Sequence, residues 1–128
     1  NWQFRLLKQV TPGPYTFVLA ATKELPRRIA HDKRKTIGIR IPDHVIAQSL
    51  LETLGEPIIS CTLAFPGEDD AVADPEEWRE QLDRAVDVVI LGGHCGLEPT
   101  TVVDLSGATP ELLRKGKGAI EPLGLPED

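Results

Sequence analysis

The chain contains 128 residues, of which 41% are hydrophobic and 27% are charged, and its formal net charge is −6. This length supports a single core, so we expect residues 1–128 to form one domain. The acidic total argues against a general attraction to nucleic acid, although the charge is segregated, with seven Lys or Arg against two acids in residues 23–40 and nine acids against two Arg in residues 68–87.

The first part of the chain is predicted to hold a helix and a strand. Residues Trp2–Val10 repeat their apolar side chains at helical spacing, which is typical of a short amphipathic helix. Thr11–Pro14 contains two prolines and a glycine, which indicates a rigid turn. Tyr15–Ala20 is rich in β-forming residues and predicts a strand. Pro26 suits the first turn of a short helix that runs to about Ala30.

A strand, a helix and a second strand are predicted in the middle of the chain. Thr36–Ile41 alternates isoleucine with Thr, Gly and Arg, which is the period of a strand. His44–Leu54 carries an apolar stripe at helical spacing, with Asp43 as its predicted N-cap and Gly55 as its left-handed stop. The apolar pair Ile58–Ile59 then predicts an inner strand.

The last part of the chain is predicted to hold one helix and three strands. Asp74 followed by Pro75, with acids after them, marks a strong helix start. This helix is expected to bury three apolar residues: Trp78, Leu82 and Ala85. The predicted strands are Val86–Leu91, Thr101–Leu105 and Glu111–Arg114. Helices and strands are mixed along the chain, which predicts an α/β fold with a mixed sheet.

Polar residues at predicted strand ends are the first candidate site, because ligands of open α/β sheets bind there. Arg40 leaves the first central strand, and its guanidinium could hold a carboxylate or phosphate through two parallel hydrogen bonds. Ser60 and Thr62 would share one face of the second strand and suit the same ligands. A surface ion pair and solvated turn hydroxyls are the competing interpretations. Cys61 would point to the other face, into the core.

Two other groups of residues are weaker candidates for a binding site. Thr100 precedes a strand, where threonine is common for structural reasons. Residues 114–118 combine three cations with two glycines and could surround a phosphate, but they lack the spacing of a P-loop, and exposed turns are the common outcome. The three histidines and two cysteines match no zinc pattern, so we predict no metal held by the protein.

Cysteine content and hydropathy indicate the compartment. Two cysteines are too few for a disulfide scaffold, which predicts free thiols. We find no signal peptide, and no apolar run approaches the roughly 20 residues of a membrane span. We therefore expect a cytoplasmic protein without a membrane partner. The first residue is Asn1 and not Met, so we expect the sequence to be part of a longer chain.

Five short segments, in this order, resemble those of the YrdC/YciO family over about Phe4 to Leu123. They are Pro12–Phe17, Ile39–His44, Ser60–Thr62, Pro99–Asp104 and Arg114–Gly116. The segments Lys33–Gly38 and Asp74–Glu77 are most similar to the YciO branch.

The resemblance implies a fold and an activity. The family fold is a twisted, open, mixed α/β sheet with flanking helices and a deep, positively lined cavity. Active members are nucleotidyltransferases that make L-threonylcarbamoyladenylate from L-threonine, bicarbonate and ATP and release pyrophosphate. The product serves tRNA modification to threonylcarbamoyladenosine. Mg²⁺ is expected on the triphosphate, held mainly by phosphates and water.

The resemblance also implies residue roles. Matched by motif, the threonine site would contain Arg40, Ser60 and Thr100. The ATP site would contain Thr36, Thr62 and Arg114. Members are also described as binding tRNA or double-stranded RNA, and the basic residues suited to it are Arg27, Arg28, Lys33, Arg34 and Lys35.

Two departures from the family pattern leave the activity open. The Ser-Ala-Asn motif of the family reads Thr62-Leu63-Ala64 here, which keeps a hydroxyl and lacks the amide. The N-terminal strands and the Lys-x-Arg motif of the family have no counterpart, so the fold is expected to be incomplete at its N-terminus and to leave apolar surface uncovered. The alternatives are a synthase-like enzyme, a non-catalytic RNA-binding paralogue, and a homodimer-forming fragment without activity.

Overall fold

A computed structural model describes residues 1–24, 26, 30, 33, 35–67, 72, 74–93 and 96–125. Most residues of the short helix predicted from Pro26 lie outside this described set. Arg27, Arg28 and Arg34 also lie outside it. The described helices and strands are α1 (Trp2–Val10), β1 (Tyr15–Ala20), β2 (Thr36–Ile39), α2 (Val45–Leu54), α3 (Arg79–Ala85), β3 (Thr101–Asp104) and β4 (Glu111–Arg114), with 3₁₀ turns at Pro75–Trp78 and Glu121–Leu123.

The chain divides into two compact units. The first unit contains Asn1–Gln48 and Pro99–Asp128, and the second contains Ser49–Glu98. Strands β1 to β4 all belong to the first unit, which therefore joins residues from both ends of the chain.

The four strands form one mixed sheet in the order β2-β1-β3-β4. Strand β1 runs antiparallel to β2 and parallel to β3, and β4 runs antiparallel to β3. The register between β3 and β4 shifts between Val102 and Val103, which marks an irregularity near the start of β3. A mixed sheet accompanied by helices confirms the α/β class predicted from the sequence.

One face of the sheet carries the core of the first unit. Alternation along β1 and β3 turns Tyr15, Phe17 and Val103 to this face, where Phe17 and Val103 are at most 1% exposed. Helix α1 packs against the cluster, with its start capped by the Asn1 side chain, which accepts a hydrogen bond from the Gln3 N–H at 2.8 Å. The remaining buried members of this cluster are Leu105 and Leu123.

Helix α2 forms as the sequence predicts, with one difference at its start. The Nδ1 atom of His44 accepts the Ile46 N–H at 3.2 Å, so the capping side chain is that of His44 and not that of Asp43. Both residues precede the first helical turn, and the imidazole nitrogen is the acceptor that reaches it. Gly55 follows the helix at φ 77°, which confirms the predicted left-handed stop.

The helix predicted from Asp74 is also present, as a 3₁₀ turn that continues into α3. The carboxylate of Asp74 accepts the Glu76 N–H at 3.1 Å, as expected of an N-cap. Leu82 is 3% exposed, and the Trp78 ring stacks on Phe65 with 4.7 Å between centroids. The prediction that Ala85 is buried is wrong: Ala85 is exposed at the last position of the helix.

Two strand predictions in the second unit are wrong. The segments Ile58–Ile59 and Val86–Leu91 form no strand, and Ile59 and Val88 are 81% and 75% exposed. A strand needs a neighbouring strand to pair with its N–H and C=O groups, and no described residue pairs with either segment. Apolar sequence alone therefore did not produce strands here.

Candidate functional site

The second face of the sheet carries polar side chains. The register pairs Val18 with Gly38 and Ala20 with Thr36, so Thr36 lies on the same face as Thr16, at the other end of β1. Arg40 follows the last residue of β2 and is exposed, and beyond it the Gly13 N–H donates to the Ile41 carbonyl at 2.9 Å. Thr16 and Thr36 therefore share the face that α1 does not cover.

Thr16 and Thr100 are joined across the parallel pair β1 and β3. Their hydroxyl oxygens lie 2.7 Å apart, and either one can be the donor. A pair of hydroxyls has two O–H groups and uses one of them in the shared bond. One O–H donor therefore remains for another acceptor, whichever way the shared bond points.

Arg114 at the end of β4 completes this group of polar side chains. Its Nε and Nη2 atoms donate to the Thr100 carbonyl oxygen at 3.0 and 2.9 Å, and Nη2 also donates to the Thr100 hydroxyl oxygen at 3.1 Å. Three bonds to one residue fix the plane of the guanidinium. Its Nη1 edge donates to no described residue, so two N–H groups remain to bind a ligand.

The three residues Thr16, Thr100 and Arg114 form what we call the hydroxyl–arginine group. It offers a fixed cation on an exposed residue and a hydroxyl donor on a part-buried pair beside it. Donors of this kind bind the oxygens of a carboxylate or phosphate, because hydrogen bonds from a charged donor are about twice as strong as neutral ones. The arrangement is therefore suited to an anion.

A second network lies beneath the hydroxyl–arginine group. The Thr101 side chain is 0% exposed; its hydroxyl donates to the Gly118 carbonyl at 2.6 Å and accepts the Gly116 N–H at 3.0 Å. The Tyr15 hydroxyl donates to the Ala119 carbonyl at 2.7 Å. Burial of the ring, with a smaller contribution from the Glu121 carboxylate, raises the pKa of this hydroxyl.

The structure brings together some of the residues that the sequence singled out. Thr100 and Arg114 are in direct contact. Thr36 lies on the same face of the sheet but at its other end, opposite Ala20, and Arg40 follows the last residue of β2. Ser60 and Thr62 belong to the second unit, where they are exposed and lie outside any strand. Cys61 is exposed, which corrects its predicted burial; with no strand there, alternation does not turn it inward.

Sequence reasoning overlooked Thr16 as a functional candidate. The available signal was alternation: Tyr15 and Phe17 are buried on one face, so Thr16 must point to the other. Its partner Thr100 is 84 residues away, and nothing local indicates that contact. The sequence predicts Thr101 only as a strand residue, whereas its buried hydroxyl has two hydrogen-bond partners in the structure.

Of the basic residues suggested for RNA, Lys33 and Lys35 are described. Both are exposed, and Lys35 has a left-handed backbone with φ 53°, which is unusual for a residue other than glycine. Within the described residues no three His, Cys, Asp or Glu side chains are grouped as a metal site would require. None of the helices found in the described part of the chain has the length and apolarity needed to cross a membrane.

Comparison with known proteins finds a matching family model and several similar proteins. The family model Sua5_yciO_yrdC, described as "Telomere recombination", matches residues 1–116. The chain is 55% identical over 123 residues to an uncharacterized protein of Haemophilus influenzae and 52% identical over 122 residues to the uncharacterized protein YciO of Escherichia coli. It is 31% identical over 109 residues to the threonylcarbamoyl-AMP synthase of Neisseria gonorrhoeae.

These alignments cover most of this chain and little more than half of each relative. The alignments with the H. influenzae and E. coli proteins each span 95% of this chain and 59% of the relative. The alignment with the synthase spans 85% of this chain and 56% of the synthase. The crystal structure of E. coli YciO superposes with a TM-score of 0.88 at 51% identity, covering 96% of this chain and 60% of that one. The structure of P. abyssi Sua5 complexed with L-threonine superposes with a TM-score of 0.77 at 31% identity. This match covers 90% of this chain and 34% of the Sua5 chain.

Proposed function

Because the chain belongs to the Sua5/YciO/YrdC family and is related to threonylcarbamoyl-AMP synthase, we propose that it binds L-threonine and ATP in a synthase-like site. The observation that carries the proposal is the hydroxyl–arginine group on the open face of the sheet. The relative solved with L-threonine supports the choice of amino acid. The chain spans about 59% of its YciO relative, so the activity of a longer protein is part of the proposal.

The amino-acid carboxylate is the group that this surface fits best. Arg40 at the end of β2 would hold it through two parallel hydrogen bonds, and the spare hydroxyl of the Thr16–Thr100 pair would donate to it or to the threonine side chain. Ser60 is the third residue that we propose for threonine. Orientation of the amino group is what such a site contributes to the reaction.

The phosphates of ATP would meet Arg114, with Thr36 and Thr62 as further contacts. In the proposed reaction, the threonine amine and bicarbonate form a carbamate with release of water, and a carbamate oxygen attacks the α-phosphate. A new P–O bond forms as the bond to pyrophosphate breaks. The fixed guanidinium would stabilise negative charge on the phosphoryl oxygens. Mg²⁺ would enter with ATP as part of the substrate.

Calorimetric titration of the chain with ATP–Mg²⁺, with and without L-threonine, tests this proposal. We expect saturable binding of both ligands and tighter ATP binding when threonine is present. Arg40→Ala should weaken threonine binding about tenfold or more, the loss expected for one charged hydrogen-bonding partner. The matched control is Arg5→Ala on α1, which packs on the other face of the sheet and should bind like wild type.

The titration also separates the enzyme proposal from its rivals. No heat with either ligand would remove the synthase-like site from this chain. Salt-sensitive binding of duplex RNA would then support the RNA-binding alternative, because phosphate contacts release counterions. A concentration-dependent dimer without ligand binding would support the third alternative. Threonylcarbamoyladenylate formed by the chain would extend the proposal from binding to catalysis.

A further inference from the structure

Thr101 is a buried polar residue that cannot contact the proposed ligand. Alternation along β3 places it on the face opposite to Thr100, where it is 0% exposed. Its hydroxyl nevertheless makes two hydrogen bonds, to the Gly118 carbonyl and from the Gly116 N–H, at 2.6 and 3.0 Å. Both partners lie in the segment that follows β4, which ends at Arg114.

This segment, residues 115–119, is hydrogen-bonded to residues at the starts of β3 and β1. The Lys117 N–H donates to the Pro99 carbonyl at 2.8 Å, and the Ala119 carbonyl accepts from the Tyr15 hydroxyl at 2.7 Å. With the two bonds of Thr101, four hydrogen bonds hold five residues that have no strand conformation. We call residues 115–119 the tethered segment.

The two glycines of the tethered segment are required by close packing. A Cβ atom at Gly116 would lie 2.5 Å from the Thr100 carbonyl oxygen, and one at Gly118 would overlap the Tyr15 ring. Neither glycine needs a positive φ, so the requirement is for space and not for backbone conformation. The segment therefore lies directly on the carbonyl that accepts the two Arg114 bonds.

The Thr100–Thr101 peptide links the two networks. Its carbonyl oxygen accepts Nε and Nη2 of Arg114, and its N–H donates to the Pro14 carbonyl of the neighbouring chain segment at 3.0 Å. The side chain attached to this peptide on its buried side is that of Thr101. A shift of the tethered segment would thus move both the carbonyl and the arginine that it holds.

We infer that Thr101 is a positioning residue: through Gly116 and Gly118 it fixes the tethered segment and so sets the location of the Arg114 guanidinium. The consequence of this positioning for ligand binding rests on the proposed function, whereas the effect of Thr101 on Arg114 does not. Thr101 itself touches no ligand. The hydroxyl group of Thr101, and not the volume of its side chain, fixes the tethered segment.

The experiment measures Arg114 directly in ¹⁵N NMR spectra of the full chain. The Arg114 Nε–H signal is identified by its loss in Arg114→Lys, and its exchange with solvent is compared among variants. Thr101→Val keeps the shape and removes the hydroxyl, and we expect exchange about tenfold faster as two hydrogen bonds are lost. Thr101→Ser restores the hydroxyl and should return exchange to the wild-type rate. Thr109→Val, at an exposed position, is the control.

The outcome that overturns the inference is an unchanged Arg114 exchange rate in a folded Thr101→Val chain. If that variant does not fold, Gly116→Ala keeps the hydroxyl and displaces the segment, and an unchanged rate there overturns the inference equally. An ATP–Mg²⁺ titration adds the ligand measurement: weaker binding in Thr101→Val with rescue by Thr101→Ser supports the inference. Failure of wild type to bind ATP–Mg²⁺ contradicts the proposed function alone, because the exchange result still decides the inference.

Discussion

Thr100 connects the strand framework to the ligand surface through two different atoms. Its carbonyl oxygen holds Arg114 by two hydrogen bonds, and its hydroxyl joins both Thr16 and Arg114. A guanidinium fixed in this way loses less side-chain freedom when it binds an anion than a flexible arginine would. This is the physical reason to regard Arg114 as part of a site even though its side chain is exposed.

Tyr15 gives a pH-dependent readout of the tethered segment. It is the single tyrosine of the chain, and burial, with a smaller contribution from Glu121, raises the pKa of its hydroxyl above 10.0. We predict that absorbance of the folded chain shows tyrosinate forming above pH 10, later than in the urea-unfolded chain. A midpoint at the unfolded value would show that the ring is not buried as described.

The same shift predicts how stability changes with pH. A raised pKa means that the folded state holds the proton more tightly, so this contribution is fully present below pH 10 and is lost as pH rises through the folded-state pKa. The free energy of unfolding of wild type should therefore fall more steeply above pH 10 than that of Tyr15→Phe. Comparing the two chains cancels the effect of lysine titration, which both share.

Among the elements, β3 is one of the two inner strands of the four-stranded sheet. It has neighbours on both sides, and its Val103 is 0% exposed. We predict that Val103→Ala lowers the free energy of unfolding by about 2 kcal/mol, since two methyl groups are removed and a cavity remains. Chemical denaturation of both chains measures the difference.

Val88→Ala is the matched control for that prediction. Val88 is 75% exposed in the second unit, so the same chemical change should alter the free energy of unfolding by less than about 0.5 kcal/mol. Equal effects of the two substitutions would contradict the burial that separates them. A larger effect at Val88 would indicate that its surface is covered in solution.

Local sequence pattern was sufficient to predict those helices and strands whose own residues carry a spacing, capping or β-forming signal. The apolar spacing of Trp2–Val10, the cap at Asp74 and the β-rich run Tyr15–Ala20 each predicted the element that forms. Ile58–Ile59 and Val86–Leu91 have the same apolar character, yet they remain outside the sheet. Strand formation depends on a partner elsewhere in the chain, and apolar composition does not specify that partner.

The candidate site was predictable only in part for a related reason. Motif resemblance selected Thr100 and Arg114, and the structure joins them. The third member, Thr16, comes from a strand 84 residues earlier, and only the parallel pairing of β1 with β3 brings it to Thr100. Contacts across such distances are set by topology, which the local sequence does not encode.

At the scale of the whole molecule, the first unit combines the two ends of the chain. Strands β1 and β2 come from the first 48 residues, and β3 and β4 follow residue 99, so the hydroxyl–arginine group exists only when both parts are folded together. Ligand binding should therefore be lost together with the sheet.

The most direct test of the proposed site is an NMR titration of ¹⁵N-labelled chain with L-threonine. We predict saturable shifts at the amides of Thr16, Thr100 and Val102 and at the Arg114 Nε–H, with α1 unaffected. L-Threoninol, which lacks the carboxylate, should produce much smaller shifts at the same concentrations. An absence of shifts on this face, or equal shifts with threoninol, would contradict the proposed binding of the threonine carboxylate by Arg40 and the Thr16–Thr100 pair.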